Sequence, residues 1–265
     1  MDSDTYYRDH WVEIDSDRLD AYEAMFAWHA RMAPLLKNAE LEMGQRVLDF
    51  GCGPGGLAME LVRRVGVAGE VVGVDLNHDM IARAQATAAA EGADANARFI
   101  QLSEDRLPFD DGYFDRVVCK SVLEYVTSPA ANIAEFKRVT APGGRVHVID
   151  SDWGMFVAEP WSDEEAAEVF AAASMAYHTP RIGRRLFGLF SAAGLTDVSV
   201  QILSAADTTG VRAPIARHML SYGVESGDLS AARAQALSAK IDVGIARGEY
   251  LLVLPQFIVT GTVAG

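Results

Sequence analysis

The chain has 265 residues, half of them hydrophobic and 23% charged, the balance of a globular protein with room for one large core. With 37 acidic against 23 basic residues the net charge is −14, which argues against nucleic acid or an anionic membrane surface as a partner. Two cysteines, Cys52 and Cys119, exclude a disulfide scaffold and a cysteine-rich zinc site, the polar start MDSDTYYRDH reads as no targeting peptide, and no apolar run reaches the roughly 20 residues of a membrane span. The expectation is a cytoplasmic enzyme or binding protein for a small molecule.

In chain order, Leu19, Tyr22, Met25, Phe26, Trp28, His29, Met32, Leu35 and Leu36 recur at helical spacing. This predicts an amphipathic helix or helix pair within residues 1–45. From Arg46 onward, short β-rich runs alternate with helical stretches. Strands are expected at 47–50, 70–74, 98–102, 115–119 and 145–150. Helices are expected at 57–65, at 77–91 with Asn77 as N-cap, and at 129–139. The runs VLDF, VVGV and VVCK are apolar on both faces, as strands of a parallel sheet between helical layers should be. Such alternation predicts an α/β fold with a doubly wound, Rossmann-like sheet. Beyond residue 150 the pattern predicts an acidic helix over 163–177 and a helix over 184–193 ended by Gly194. A strand at 198–203, a mostly helical stretch over 212–247 and a last strand at 250–260 follow.

The strongest local signal is VLDFGCGPGG at 47–56. A strand runs into closely spaced glycines and then a helix, which lets a ligand lie against the main chain. Gly51, Gly53 and Gly56 fit the dinucleotide fingerprint, and Asp75 lies 19 residues beyond Gly56, where a ribose-binding carboxylate is expected. At this point a nicotinamide dehydrogenase and an adenosylmethionine enzyme are both open. Asp49, two residues before the first glycine, suits a ligand carrying an ammonium group and suits a pyrophosphate poorly.

Downstream motifs separate the two. With VLDFGCGPGG, VVGVDLNHDMIARA, LPFDDGYFDRVVCKSVLEYV and the Ala141-Pro142-Gly143-Gly144-Arg145 turn in this order, the sequence closely resembles the class I S-adenosylmethionine-dependent methyltransferases over about residues 40–150. Asp150-Ser151-Asp152-Trp153 and Gly183-Arg184-Arg185-Leu186 resemble the small-molecule branch, which includes quinone-biosynthesis and natural-product methyltransferases. The resemblance implies a seven-stranded sheet, mostly parallel with one reversed strand, plus an N-terminal helical cap and helical insertions. It implies one methyltransferase domain over 1–265: a cap at 1–45, a cofactor-binding half at 46–150, and acceptor-side insertions with the last two strands at 151–265.

Carried over by position, the resemblance implies that Asp49, Gly51 and Gly53 hold the methionine part of S-adenosyl-L-methionine. Asp75 would take both ribose hydroxyls, Leu76 and Met80 would lie against the adenine, and Cys119 would touch the cofactor through its backbone. Arg31 is a candidate for the cofactor carboxylate. Family members commonly carry an acid after the third strand for the adenine amino group. This chain has Ser103 there, followed by Glu104 and Asp105, so the resemblance makes Ser103, or the neighbouring Glu104, the candidate acceptor for the adenine amino group.

On the acceptor side, Tyr6, Tyr7 and Trp153 are candidates for a pocket wall that shields a sulfonium cation, or for packing of the cap. Arg181 and Arg184 could bind an acidic acceptor, or pair with the chain's own carboxylates. His178 and His147 are candidates for a general base, which a carbon or phenol acceptor requires. No metal-ligand spacing occurs among the six histidines, so no metal is expected. The function expected is methyl transfer to a small-molecule acceptor in quinone or secondary-metabolite biosynthesis, with S-adenosyl-L-homocysteine as product. Two alternatives stay open. One is a cyclisation or decarboxylation on the same cofactor-binding fold; the other is an NAD-dependent oxidoreductase, which the lack of a Tyr-x-x-x-Lys run disfavours. The cap and insertion could also build a homodimer.

Overall fold

The computed structural model of the chain describes residues 5–12, 14, 16–103 and 106–265. Glu104 and Asp105 lie outside the described residues, as do Asp2, Asp4, Glu13 and Asp15 of the acidic start. The first half alternates strands and helices: β1 (Arg46–Phe50), α3 (Gly56–Val65), β2 (Glu70–Asp75), α4 (His78–Ala90), β3 (Ala97–Gln101), β4 (Phe114–Lys120), α5 (Pro129–Val139) and β5 (Thr140–Ser151). Ahead of them stand α1 (Tyr6–Val12), α2 (Ser16–Phe26) and a 3-10 segment at Ala30–Ala39. Pro34 lies inside that segment, and its ring would clash with the carbonyl four residues back in an α-helix, which favours a tight 3-10 run where a regular helix was expected.

Local chemistry explains the helix starts. The Asn77 side chain accepts from the Met80 N–H at 2.8 Å and caps α4. Ser128 caps α5, whose first turn holds Pro129 and whose last turn holds Lys137 and Arg138, matching the helix dipole at both ends. Ser162 and Glu165 form a reciprocal capping box at the start of α6 (Asp163–Ala172).

The second half adds β6 (Val157–Glu159), α7 (Leu186–Ala192), β7 (Thr196–Leu203), α8 (Ala213–Ser226), α9 (Ala231–Arg247), β8 (Leu251–Val253) and β9 (Gln256–Thr262). The seven-stranded sheet has the order β3-β2-β1-β4-β5-β9-β7. Pairs among β1 to β5 are parallel, and β9 runs antiparallel to both neighbours. The expected mostly parallel sheet with one reversed strand is present. The expected last strand at 250–260 is instead two. β8 leaves the main sheet and pairs with β6, while β9 enters between β5 and β7. Pro255 separates them and cannot donate to a ladder, so the strand breaks there.

One face of the sheet buries Phe114, Ile133, Phe136, Leu186 and Phe190 under α5 and α7. The other face buries Leu36, Leu57, Leu61, Ile81 and Phe99 under the 3-10 segment, α3 and α4. A separate cluster joins Trp161, Val169, Ala216, Leu237 and Leu252 among α6, α8, α9 and the small sheet. That helical body stands over the carboxyl ends of the strands, because Trp153 and Tyr177 belong to it while the backbone of His178 and Thr179 bonds to Glu124 just after β4.

Candidate active site

The strand order reverses direction between β1 and β4, so the loops after those strands form the natural ligand crevice. After β1, Gly51, Gly53 and Gly55 hold φ angles of 73°, 51° and 90°. A Cβ at Gly51 would stand 2.3 Å from a Val122 methyl, so the β1 and β4 loops close on each other only because glycine is there. One at Gly56 would stand 2.7 Å from the Phe26 carbonyl oxygen, so the end of the cap runs directly over the start of α3.

Two carboxylates sit under this loop in different states. Asp75, at the end of β2, accepts from the Gly53 N–H at 2.9 Å and from the Asn77 N–H at 3.0 Å. Each oxygen keeps a further lone pair for a ligand hydroxyl. Asp49 is 1% exposed, and among the described residues neither of its oxygens has a hydrogen-bond partner. Burial raises its pKa to about 7, the Asp75 charge adds to the rise, and Lys120 opposes it. A buried carboxylate left without a donor is costly in a finished fold and marks a place where a cationic or hydrogen-bonding group is to be received.

Lys120 ends β4 and lies near Asp49, Asp150 and Glu124; burial lowers its pKa against the pull of those acids. Arg212 is close enough to depress Lys120 further, and Arg31 does the same to Arg212. Exposed Arg31 therefore stands on the rim of a cationic group that includes Arg212 and Lys120. Asp150, at the end of β5, accepts from the Leu123 and Ser151 N–H groups. Glu124 is buried and accepts from Trp153 Nε1 at 2.5 Å. Burial, then the Asp150 charge, pushes Glu124 well above the ordinary carboxylate range.

The other cofactor-side candidates distribute unevenly. Leu76 is half-exposed beside Asp75. Met80 is buried among Ile14, Leu19 and Tyr22, so the cap covers it. Ser103 is exposed just past β3, and Glu104 lies outside the described residues. Cys119 is fully buried on β4 in the sheet core, and burial raises its thiol pKa. Cys52 is likewise buried, and its sulfur would stand 2.9 Å from a Cβ at Gly73. It is the small filler that a tight loop needs.

On the acceptor side, an aromatic wall runs from Trp153 to Tyr177 (4.9 Å between ring centroids) and on to Tyr125 (5.5 Å). Tyr125 meets Trp11 at 4.9 Å and His10 at 5.9 Å. Tyr6 is buried against His10, with its hydroxyl bonded to Glu225. Tyr7 stacks obliquely on exposed His178 at 4.6 Å and bonds Thr127. The structure thus brings Tyr6, Tyr7, Trp153 and His178 to one side of the crevice. His147 is elsewhere: its Nε2 donates to the Leu35 carbonyl at 2.8 Å and its Nδ1 accepts from Thr260 at 2.7 Å. Burial takes its pKa down to about 4. With both nitrogens used to dock the 3-10 segment onto β5 and β9, His147 has no atom left for an acceptor. Arg184 is also committed, as a two-bond partner of fully buried Asp152. Arg181 is exposed nearby, its Nε 2.9 Å from where a Gly154 Cβ would stand.

Sequence reading missed Lys120, Glu124, Tyr125 and His10. The first three fall in the run VVCKSVLEYV after the fourth strand, and their place at a strand's carboxyl end was the available signal. His10 carried none. Two surface grooves lie off this edge. One, of about 420 Å³, runs between α8 and α9; the other, of about 580 Å³, lies beside the start of β3.

Residues 47–144 match the family described as "Methyltransferase domain". Over that segment the chain is similar to a methyltransferase domain. Its relatives include the ubiquinone/menaquinone biosynthesis C-methyltransferase UbiE of Stutzerimonas stutzeri, 39% identical over 107 residues, 40% of this chain and 42% of that one. UbiE of Erwinia tasmaniensis is 36% identical over 140 residues, 53% of each chain. The chain therefore spans about half the length of these curated relatives. The phosphoethanolamine N-methyltransferase 2 of Haemonchus contortus, solved with S-adenosyl-L-methionine, superposes with a TM-score of 0.65 at 18% identity, over 98% of this chain and 60% of that one. The likeness in fold thus reaches over nearly the whole chain, while the likeness in sequence does not.

Proposed function

We propose that the protein transfers the methyl group of S-adenosyl-L-methionine to a small-molecule acceptor, in quinone or secondary-metabolite biosynthesis. The observation that carries this reading is the buried, unpartnered Asp49 carboxylate beneath three left-handed glycines, with Asp75 joined to the same loop. The site fits that cofactor. Asp49 would receive the methionine ammonium, Asp75 the ribose hydroxyls, and the glycine backbone would allow close approach. Arg31, Arg212 and Lys120 would supply positive charge for the carboxylate. The relatives' role in quinone biosynthesis favours the same substrate class.

When bound, the cofactor supplies a methyl group already activated by a sulfonium. The chain's own task is then alignment and exclusion of water. α1 and α2 cover the crevice from above, and the helical body around Trp153 and Tyr177 closes its acceptor side. Glu124 and Asp150 are buried acids whose depressed ionisation lets one of them hold a proton near neutrality. His178 stands at the rim as a further proton acceptor. The whole chain, 1–265, acts on this reading as one methyltransferase unit in the cytoplasm, and the charge of −14 favours neither nucleic acid nor membrane as a partner.

Calorimetry with S-adenosylhomocysteine tests the reading directly: binding is expected, and its absence overturns the proposal. Mass spectrometry of a converted acceptor then distinguishes methyl transfer, which adds the mass of one methylene, from cyclisation or decarboxylation on the same scaffold.

A further inference from the structure

α1 ends at the centre of the crevice. Asn77, after β2, donates through Nδ2 to the carbonyls of Trp11 and Val12 at 3.0 and 3.1 Å. Tyr125, after β4, packs against the rings of both His10 and Trp11. β1 lies between β2 and β4, so the His10-Trp11 pair bridges the two loops that flank the Asp49 loop.

Both side chains carry a polar atom with no partner among the described residues. His10 is 5% exposed, and its Nε2 is buried and unbonded. Its Nδ1 contacts the Tyr6 carbonyl at 2.5 Å. A carbonyl only accepts, so the proton sits on Nδ1 and Nε2 presents a bare lone pair. Trp11 Nε1, also buried and unbonded, is an N–H that can only donate. The two rings are 5.0 Å apart, with Tyr22 and Phe26 beyond Trp11 and Tyr6 and Tyr222 beyond His10. One lone pair and one N–H, both desolvated, thus belong to neighbouring rings in aromatic surroundings. Leaving such atoms unpaired is unfavourable by the full desolvation of each group.

We propose that His10 and Trp11 form a hydroxyl-recognition subsite for the acceptor, His10 Nε2 accepting the hydroxyl proton and Trp11 Nε1 donating to its oxygen. A hydroxyl both donates and accepts, so it satisfies both atoms at once. A methyl ether or a bare carbonyl satisfies only the donor, and an ammonium only the acceptor. The inference rests on the methyltransferase reading and adds to it a specificity determinant in the cap, outside the matched residues 47–144.

The test uses the full-length protein saturated with S-adenosylhomocysteine, titrated with phenol and with toluene and followed by ligand-observed NMR. The two probes share a ring and nearly a volume, and differ in hydroxyl against methyl. Wild type is expected to hold phenol about tenfold more tightly than toluene. His10→Phe and Trp11→Phe are each expected to cut that preference to about threefold or less while S-adenosylhomocysteine affinity stays within about twofold. The proposal is overturned if wild type shows no preference, if phenol fails to bind up to its solubility, or if both variants keep the preference. Loss of S-adenosylhomocysteine affinity in a correctly folded variant overturns it too, by placing the pair on the cofactor. Should His10→Phe misfold, Trp11→Phe decides alone. Failure of wild type to bind S-adenosylhomocysteine strikes the methyltransferase reading instead, so the two failures are separable.

Discussion

On the proposed cofactor reading, Asp49 sets function against stability at a single carboxyl group. Its pKa of about 7, raised first by burial and then by Asp75, means that the folded chain binds this proton more tightly than the unfolded chain does. The stabilisation is full below about pH 4 and is lost as the pH rises through about 7. Asp49→Asn should therefore raise the melting temperature at about pH 8 by several degrees in a thermal scan. The same change should weaken S-adenosylhomocysteine binding by about a hundredfold or more in calorimetry, because a buried charge partner for the ammonium is gone. Binding should also weaken on acidification. An ammonium prefers the ionised Asp49, so affinity should fall more than tenfold between about pH 8 and about pH 5.5, with proton release on binding below about pH 7. A flat profile would assign the ammonium elsewhere. Asp49 and Asp75 were legible in the sequence because they sit at fixed offsets from the glycines. Lys120 and Glu124 were not singled out. Their meaning depends on which strand ends meet in space, and a strand's alternation does not say that.

Elements are held to one another by a few residues that do two jobs. Asn77 caps α4 and, through Nδ2, ties down the end of α1. Asn77→Ala removes the cap and strands two carbonyls, a cost of about 2 kcal/mol or more, or roughly 4–8 °C in melting temperature. Asn77→Asp should keep the cap but lose the two bonds to α1, which separates the two roles in a thermal scan. The start of α4 was readable because Asn77 acts within one turn of chain. The split of the last strand was harder to foresee. Pro255 was visible, but the partner that draws β8 away is β6, nearly a hundred residues earlier, a three-residue strand with no periodicity of its own. His147 illustrates the same limit. Its strand was predicted, yet its neighbours Leu35 and Thr260 come from the two ends of the chain.

At the scale of the molecule, two packed bodies share one crevice. The sheet carries the Asp49 loop, and the helical body around Trp153, Tyr177 and Tyr222 faces it. α1 and α2 join them: Arg83 of α4 pairs with Asp20 and Glu23, Tyr6 bonds Glu225 of α8, and Tyr22 bonds Tyr222 at 3.3 Å. These ties are weakly insured. α1 has seven residues and buries only Tyr6 and His10, too short to persist without its contacts, and the Arg83 pairs are largely exposed, where ion pairs contribute little. β1 and β4, by contrast, lie at the centre of the sheet with nearly every side chain buried. Local opening should therefore begin in α1 and α2 at a free energy far below that of global unfolding. Hydrogen exchange is expected to label α1 and α2 amides well before those of β1 and β4. S-adenosylhomocysteine should slow exchange in α1 and α2 more than in α9, since a ligand bound at the Asp49 loop lies under the cap and stabilises only the closed arrangement. Equal protection of α9 and α1 would mean that the cap is no gate to the crevice. Selective protection of α1 would make acceptor entry and product release a matter of how often these few contacts let go.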